Sequence, residues 1–299
     1  MWPIFSHQRN KYKLVRGDFF RWVTGAFLFI ASIWLFTTAC TPKTLVNSDD
    51  DPGVSYNLYG GNLKKVFYQS DLFYVNVFYE PEAKPFVGDT GKGINYWQLL
   101  ENNLRAVFKQ RTRQINVFVP YTYAQMNPIG KQDIIGWRQE DILKLADKLP
   151  TKDDDKTSEL KVLFVKGFYM NPKGQIKRDI IGINMTGRML VVIFKDVVNA
   201  VDAEPGSHVK EFVEQATIIH ESGHALGLVN QFIKSITDHH DYENPGHCSD
   251  PNCVMYHLNS GEKDLKEFVK KVLKTKDENN EYDYTMFGPA CLQDIRDYR

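Results

Sequence analysis

The pattern of hydrophobic and polar positions predicts strands and helices along the chain after residue 70. Asp71–Tyr79 is rich in aromatic and β-branched residues and is typical of a strand, whereas Tyr96–Gln110 has apolar residues at helical spacing. The charged stretch Thr151–Glu159 is predicted to be a surface loop. By the same criteria, further strands are predicted at Gln114–Pro120, Lys161–Phe168 and Met189–Lys195, and further helices at Gln139–Leu149, from Val209 onwards and at Gly261–Thr275. This order indicates an α/β (α+β) fold in which helices pack against a mixed sheet.

A long apolar stretch near the N-terminus predicts export. Trp22–Ala39 contains no charged residue, and basic residues precede it, at Arg9, Lys11, Lys13, Arg16 and Arg21. The stretch ends in Thr38-Ala39-Cys40, which resembles the lipobox of bacterial lipoproteins, where the cysteine is lipidated. We expect residues 1–39 to be a signal peptide or membrane anchor, and residues 40–58 to be a polar tether. Lipidation at Cys40, an uncleaved anchor and ordinary cleavage all place the body in the cell envelope, outside the cytoplasm.

Composition narrows the class of protein. The 299 residues include 37 Lys+Arg, 37 Asp+Glu and 4 cysteines, and 42% of them are hydrophobic. These proportions exclude a disordered chain and a small domain held together by disulfides. Because several basic residues precede the apolar stretch, the rest of the chain is mildly acidic and offers no basic surface for nucleic acid.

The predicted helix that begins at Val209 carries the strongest chemical signal. It contains the motif HExxH, formed by His220, Glu221 and His224. Two histidines four residues apart project from the same face of a helix, so both imidazoles can bind one Zn²⁺ ion. Glu221 lies beside the first of them, where it can act as the general base that takes a proton from the attacking water.

The motif extends to HExxHxxG at His220–Gly227, and in this form it resembles the metzincin clan of zinc metallopeptidases. The resemblance implies a metzincin-like zincin fold: a twisted mixed sheet, a backing helix, an active-site helix and a smaller C-terminal subdomain with a methionine turn. It also implies that the strand at Met189–Lys195 forms the upper rim of the cleft and pairs with extended substrate. In that clan a histidine three residues after the glycine completes the metal site. This chain has Asn230 there, and asparagine is a poor zinc ligand.

A later segment offers a third ligand. Residues 247–255 have the pattern HCx4CxM, which resembles the archaemetzincin segment that holds the third histidine, two cysteines and the methionine of the turn. On this resemblance His247 is the third ligand and Met255 lies beneath the metal, after an insertion at residues 231–246. The alternatives for the third ligand are His239, His240 or Asp241 in the insertion, and Asn230.

Two expectations concern the cysteines that follow. Cys248 and Cys253 are close enough in sequence to pair in an oxidising compartment, so a disulfide between them is a hypothesis. In archaemetzincins a downstream CxxC pair helps to hold another zinc ion, and this chain retains only Cys291 of that pair. We therefore expect one catalytic Zn²⁺ ion.

These residues together predict an exported, membrane-tethered zinc endopeptidase that hydrolyses peptide or protein substrates. Residues 59–228 would form an N-terminal catalytic subdomain ending in the zinc-binding helix, and residues 229–299 a C-terminal subdomain with the third ligand. The alternative is a non-catalytic zinc-binding surface or adhesion lipoprotein on a protease-like fold, suggested by Asn230 and the insertion. Glu221 favours the enzyme, because a binding module needs no carboxylate at that position.

Overall fold

The computed structural model describes residues 62–90, 93–257, 265–272 and 284–299. The apolar stretch Trp22–Ala39, Cys40 and the predicted tether lie outside the described residues. Within the described residues, no helix has both the length and the apolar character needed to cross a bilayer. The predicted subdomain division between residues 228 and 229 stays a prediction.

A mixed sheet lies at the centre of the fold. The strands of the described residues are β1 (Leu72–Tyr79), β2 (Asn116–Phe118), β3 (Asn127–Pro128), β4 (Gly136–Trp137), β5 (Thr157–Val165), β6 (Phe168–Met170), β7 (Ile176–Lys177), β8 (Gly182–Asn184) and β9 (Leu190–Phe194). Six of them form the main sheet in the order β2-β1-β5-β9-β8, and β3 also pairs with β1. All pairs in this sheet are parallel except β8 with β9, which are antiparallel. Strands β4, β6 and β7 form a second, smaller sheet.

The inner strands of the main sheet form most of the core. In proteins generally, both faces of a largely parallel sheet are covered, so the inner strands have almost entirely apolar sequences. All five residues of β9 are buried, and the register places Val162 of β5 between Val77 of β1 and Val191 of β9. The mixed sheet predicted from the sequence is confirmed.

Helices flank the sheet. They are α1 (Tyr96–Lys109), α2 (Gln139–Ala146), α3 (Lys195–Ala200), α4 (Val209–Ala225) and α5 (Pro289–Asp297), and residues 265–272 are also helical. The side chain of Asn95 caps α1 by accepting a hydrogen bond from the Trp97 amide at 3.0 Å. Helix α4 packs against α1 and against β8 and β9, which places its HExxH motif inside the molecule.

One charged segment differs from its prediction. Thr151–Glu159 was expected to be a surface loop, but β5 begins at Thr157 and Glu159 is buried. The Glu159 carboxylate accepts hydrogen bonds from Asn76 Nδ2 and Thr151 Oγ1, each at 2.6 Å. These donors replace water, so the carboxylate can enter the fold despite its charge.

The expectation that Met189–Lys195 forms the rim of the cleft is also wrong. Met189–Lys195 was expected to pair with substrate, but β9 lies between β5 and β8, and both of its edges are already hydrogen-bonded. Among the described residues, the last strand at this end of the sheet is β8. A peptide that extended the sheet at this end by strand addition would pair with β8.

Candidate metal centre

The last turns of α4 carry His220, Glu221 and His224, and all three are buried. The helix ends at Ala225, and Gly227 follows with φ +80°, a conformation that favours glycine. A Cβ added at Gly227 would also lie only 2.8 Å from Leu63 Cδ1. The predicted helix end before Gly227 is thus explained by both backbone conformation and packing.

Three histidines meet at the end of this helix. One ligand atom of each of His220, His224 and His247 lies within 4.8 Å of the corresponding atom of the other two. His220 Nε2 and His224 Nε2 are 3.1 Å apart, close to the ~3.4 Å edge expected of tetrahedral zinc with nitrogen ligands at ~2.05 Å. No described residue forms a hydrogen bond with the buried Nε2 atom of His247. A buried nitrogen left in this way fits a metal ligand.

The remaining ring nitrogens hold the imidazoles in place. His220 Nδ1 is 2.6 Å from the Val254 carbonyl oxygen, and His247 Nδ1 is 3.2 Å from the Asn244 carbonyl oxygen. An N–H that donates to a carbonyl at Nδ1 leaves the lone pair on Nε2, the arrangement usual for metal-binding histidines. The residues present therefore fit a divalent metal ion.

The three imidazoles are neutral in this environment. Burial lowers the pKa of His220 to about 3, with a smaller contribution from His247, and burial lowers the pKa of His247 to about 4. Burial and the two neighbouring histidines hold the pKa of His224 well below its usual value. Neutral imidazole is the form that binds metal, so the group is ready for an ion at neutral pH.

Met255 packs directly beneath the helix that carries the motif. It is fully buried, and a Cβ added at Gly223 would clash with its Sδ atom and lie 2.9 Å from Phe287 Cε1. Met255 thus lies against Gly223, within the helical segment that carries His220 and His224, and its place beneath a metal ion stays a prediction. Its neighbour Val254 supplies the carbonyl that accepts from His220, so the same turn contacts the helix at both His220 and Gly223.

The alternative third ligands lie elsewhere. Asn230 is exposed, and its Oδ1 accepts a hydrogen bond from the Ser235 amide at 2.7 Å. Asp241 is paired with His257 at 2.9 Å. Neither these two residues nor His239 or His240 belongs to the group formed by His220, His224 and His247.

His239 instead belongs to a second group, with Cys248 and Cys291, in which the ligand atoms again lie within 4.8 Å of one another. All three residues are buried. His239 Nδ1 is 3.4 Å from Cys248 Sγ, and its Nε2 is 2.8 Å from Asp294 Oδ2. The hydrogen bond with Asp294, followed by that with Cys248, raises the pKa of His239 to about 9.

The hypothesised disulfide between Cys248 and Cys253 is not formed. All three cysteines of the described residues, Cys248, Cys253 and Cys291, are buried and none is in a disulfide, and Cys253 Sγ lies 3.6 Å from Cys291 Sγ. The three thiols share one cluster instead of forming a pair. Hydrogen bonds from Cys253 and Cys291 lower the pKa of Cys248.

Sequence spacing does not predict the second group, because Cys291 lies on α5, far along the chain from His239 and Cys248, and is the only downstream cysteine. A usable signal was the spacing of Cys248 and Cys253 combined with a histidine-rich insertion just before them.

The fold and the site define an α+β protein in which two groups of histidine and cysteine side chains could hold metal ions. No protein-family model matches the chain, and a search of curated proteins finds no match.

Proposed function

We propose that this protein is an exported, membrane-tethered zinc endopeptidase of the metzincin type. The observation that carries the proposal is the convergence of three buried histidines, two of them from an HExxH helix, around one point. His220, His224 and His247 would hold the ion. Three protein ligands leave a fourth position for water or substrate, as in catalytic rather than structural zinc sites.

A zinc ion bound there would supply a Lewis acid that lowers the pKa of water and polarises a substrate carbonyl. The chain's own contribution to the chemistry is Glu221, which is buried next to His220. Its carboxylate would take the proton from the attacking water and pass it to the leaving amine. Val254 and Asn244 would keep His220 and His247 oriented through their carbonyl oxygens.

The substrate class and location complete the proposal. Peptide bonds are proposed because of the resemblance to metzincins. Since β8 is the last strand at its end of the sheet among the described residues, an extended peptide could add to the sheet there. Membrane attachment and lipidation at Cys40 are proposed from the N-terminal sequence alone.

The test compares the zinc-loaded full-length chain with a Glu221→Gln variant on a broad peptide library. We expect Glu221→Gln to lower kcat/KM by roughly 10²–10⁴-fold with zinc content unchanged, because only proton transfer is removed. Glu211→Gln, in the first turn of the same helix, is the matched control and should leave the rate unchanged.

Two outcomes would contradict the proposal. Unchanged hydrolysis by Glu221→Gln would remove the proposed base. Zinc bound by all three histidines without any peptide hydrolysis would favour the non-catalytic surface protein instead.

A further inference from the structure

We infer that Gln231 is a positioning residue of the three-histidine group: its side-chain amide pairs with Nδ1 of His224 and, by rotating, lets this imidazole bind a metal ion through Nε2. This role rests on the proposed function in one respect, the binding of an ion by the three histidines, and it does not depend on peptide hydrolysis. Gln231 would support His224 as the carbonyls of Val254 and Asn244 support the other two histidines.

The turn that follows α4 directs the Gln231 side chain. Val229 and Asn230 have φ +55° and +59°, values that are uncommon for residues other than glycine and unfavourable for a β-branched side chain. A backbone hydrogen bond supports this conformation, since the Gly227 carbonyl accepts from the Ile233 amide at 2.8 Å. The half-buried side chain of Gln231 is thereby turned back toward the end of the helix.

The same turn exchanges the roles of two neighbouring residues. The Asn230 side chain accepts a hydrogen bond from the Ser235 amide at 2.7 Å and is exposed, so it takes no part in the three-histidine group. The next residue, Gln231, faces that group instead. Its Nε2 lies 3.5 Å from His224 Nδ1, at the outer limit of a hydrogen bond.

The contacts of the ring nitrogens define where the protons lie. His220 Nδ1 faces the Val254 carbonyl oxygen at 2.6 Å, and a carbonyl only accepts, so Nδ1 carries the proton and Nε2 of this neutral ring has a lone pair. His224 Nε2 is 3.1 Å from that nitrogen and must be the N–H donor. Nδ1 of His224 then has the lone pair, which accepts from Gln231 Nε2.

The metal-binding form of His224 has the opposite arrangement. An ion shared by the Nε2 atoms of His220 and His224 needs both lone pairs, so the proton of His224 must lie on Nδ1. That N–H requires an acceptor, and rotation of the Gln231 amide by about 180° about its Cγ–Cδ bond replaces Nε2 with Oε1. The ring stays neutral, because water takes one proton from Nε2 and supplies one to Nδ1.

A glutamine suits this exchange because its amide both donates and accepts. A carboxylate only accepts, so Gln231→Glu would favour the proton on Nδ1 of His224 with or without an ion. An aliphatic side chain does neither. Loss of such a partner from a metal-binding histidine typically costs roughly 10–100-fold in metal affinity.

The zinc affinity of the full-length chain tests this role. We expect Gln231→Leu to weaken zinc binding by the three histidines roughly 10–100-fold, measured by competition with a chelator, and Gln231→Glu to bind at least as tightly as the parent. Lys234→Leu is the matched control, because Lys234 is exposed three residues later, and it should bind zinc as the parent does. Zinc held elsewhere in the chain is measured with His220→Ala/His224→Ala and subtracted.

Nitrogen-15 NMR of protein with labelled histidines tests the exchange directly, because it shows which ring nitrogen is protonated. In the parent we expect the proton of His224 on Nε2 in the presence of chelator and on Nδ1 in the presence of zinc. In Gln231→Glu it should lie on Nδ1 in both samples. The resonances of His224 are those missing from His224→Asn. A side chain that only packed here would not move this proton.

Three results would overturn the role of Gln231. One is equal zinc affinity in Gln231→Leu and the parent. Another is a Gln231→Glu variant that is folded by circular dichroism but binds zinc as weakly as Gln231→Leu. The third is a proton on the same nitrogen of His224 with and without zinc. Each of these leaves the proposed function in place, whereas a parent whose three histidines bind no zinc would overturn both.

Discussion

Gly223 determines how closely α4 can approach the turn at Met255. In an ordinary helix, replacing glycine by alanine stabilises the helix by about 1 kcal/mol. Here the added methyl group would clash with Met255 Sδ and press on Phe287. We expect Gly223→Ala to lower the free energy of unfolding by about 1–3 kcal/mol, the usual cost of overpacking, measured by urea denaturation.

Gly130→Ala serves as the control for that measurement, because an added Cβ there meets nothing within 4 Å. It should change the free energy of unfolding by less than about 0.5 kcal/mol. If Gly223→Ala instead raises the free energy of unfolding, the turn at Met255 shifts at little energetic cost. The packing of Met255 then does not limit how closely the helix approaches.

At the scale of single residues, local spacing was informative and distant pairing was not. The four-residue spacing of His220 and His224 is a property of one helix, so the sequence alone predicts that they share a face. His247 could be named only from a resemblance, because the chain between Ala225 and His247 forms no regular helix or strand and no periodicity links His247 to His224. The meeting of His239 with Cys291 depends on the packing of α5 and had no local pattern at all.

Helices α3 and α4 are joined by a buried ion pair between Lys195 and Glu214. Glu214 also accepts a hydrogen bond from the Phe86 amide at 2.8 Å, and Lys195 Nζ lies 3.3 Å from the centre of the Phe86 ring. Burial, opposed by Lys195, raises the pKa of Glu214. The pair therefore stabilises the fold only while both partners are present.

We expect Lys195→Met to lower the free energy of unfolding by about 3–5 kcal/mol, because it leaves a buried carboxylate without its cation. Lys195→Met/Glu214→Leu should recover most of that loss, although the Phe86 amide would then lack its acceptor. Chemical denaturation of both variants checks the prediction. A double variant as unstable as the single one would show that the loss comes from packing, not from charge.

At the scale of elements, sequence patterns located β1, β2, β5 and β9 and helices α1, α2 and α4. They missed the other short strands and helices α3 and α5. Aromatic and β-branched residues mark β1, and apolar spacing marks α1. Strand β8 has only three residues, Gly182–Asn184, too few for any alternation to be visible. Its antiparallel pairing with β9 arises from tertiary packing, which also determines which strand lies at the edge.

For the whole molecule, the three buried histidines make the stability of the metal-free protein dependent on pH. Their pKa values are lowered in the folded state, to about 3 for His220 and about 4 for His247, whereas the unfolded value is ~6.5. Below pH ~6.5 the unfolded chain thus binds more protons than the folded chain. The free energy of unfolding therefore decreases as the pH falls toward the folded pKa values.

We expect the free energy of unfolding of the chelator-treated protein to fall between pH 6.5 and 4.5, by up to about 1.4 kcal/mol per pH unit for each histidine. His239 acts in the opposite direction: its raised pKa contributes stability that is lost as the pH rises through about 9. Urea denaturation at a series of pH values measures the loss of stability between pH 6.5 and 4.5. If His220→Asn/His224→Asn loses as much stability over this range as the parent, these histidines are not its source.

The continuous burial of the inner strands has a consequence for the chain before it folds. β1 (LFYVNVFY) and β9 (LVVIF) contain no charged residue and no proline, and in the native sheet their neighbours shield them on both edges. In an unfolded chain, such segments are able to form intermolecular β-structure and aggregate. Parallel strands pair only after long intervening segments have been ordered. These apolar segments therefore stay exposed for longer than they would in a protein whose contacts are mostly between residues close in sequence. A chain that crosses a membrane unfolded would thus depend on protection of these strands until the sheet closes.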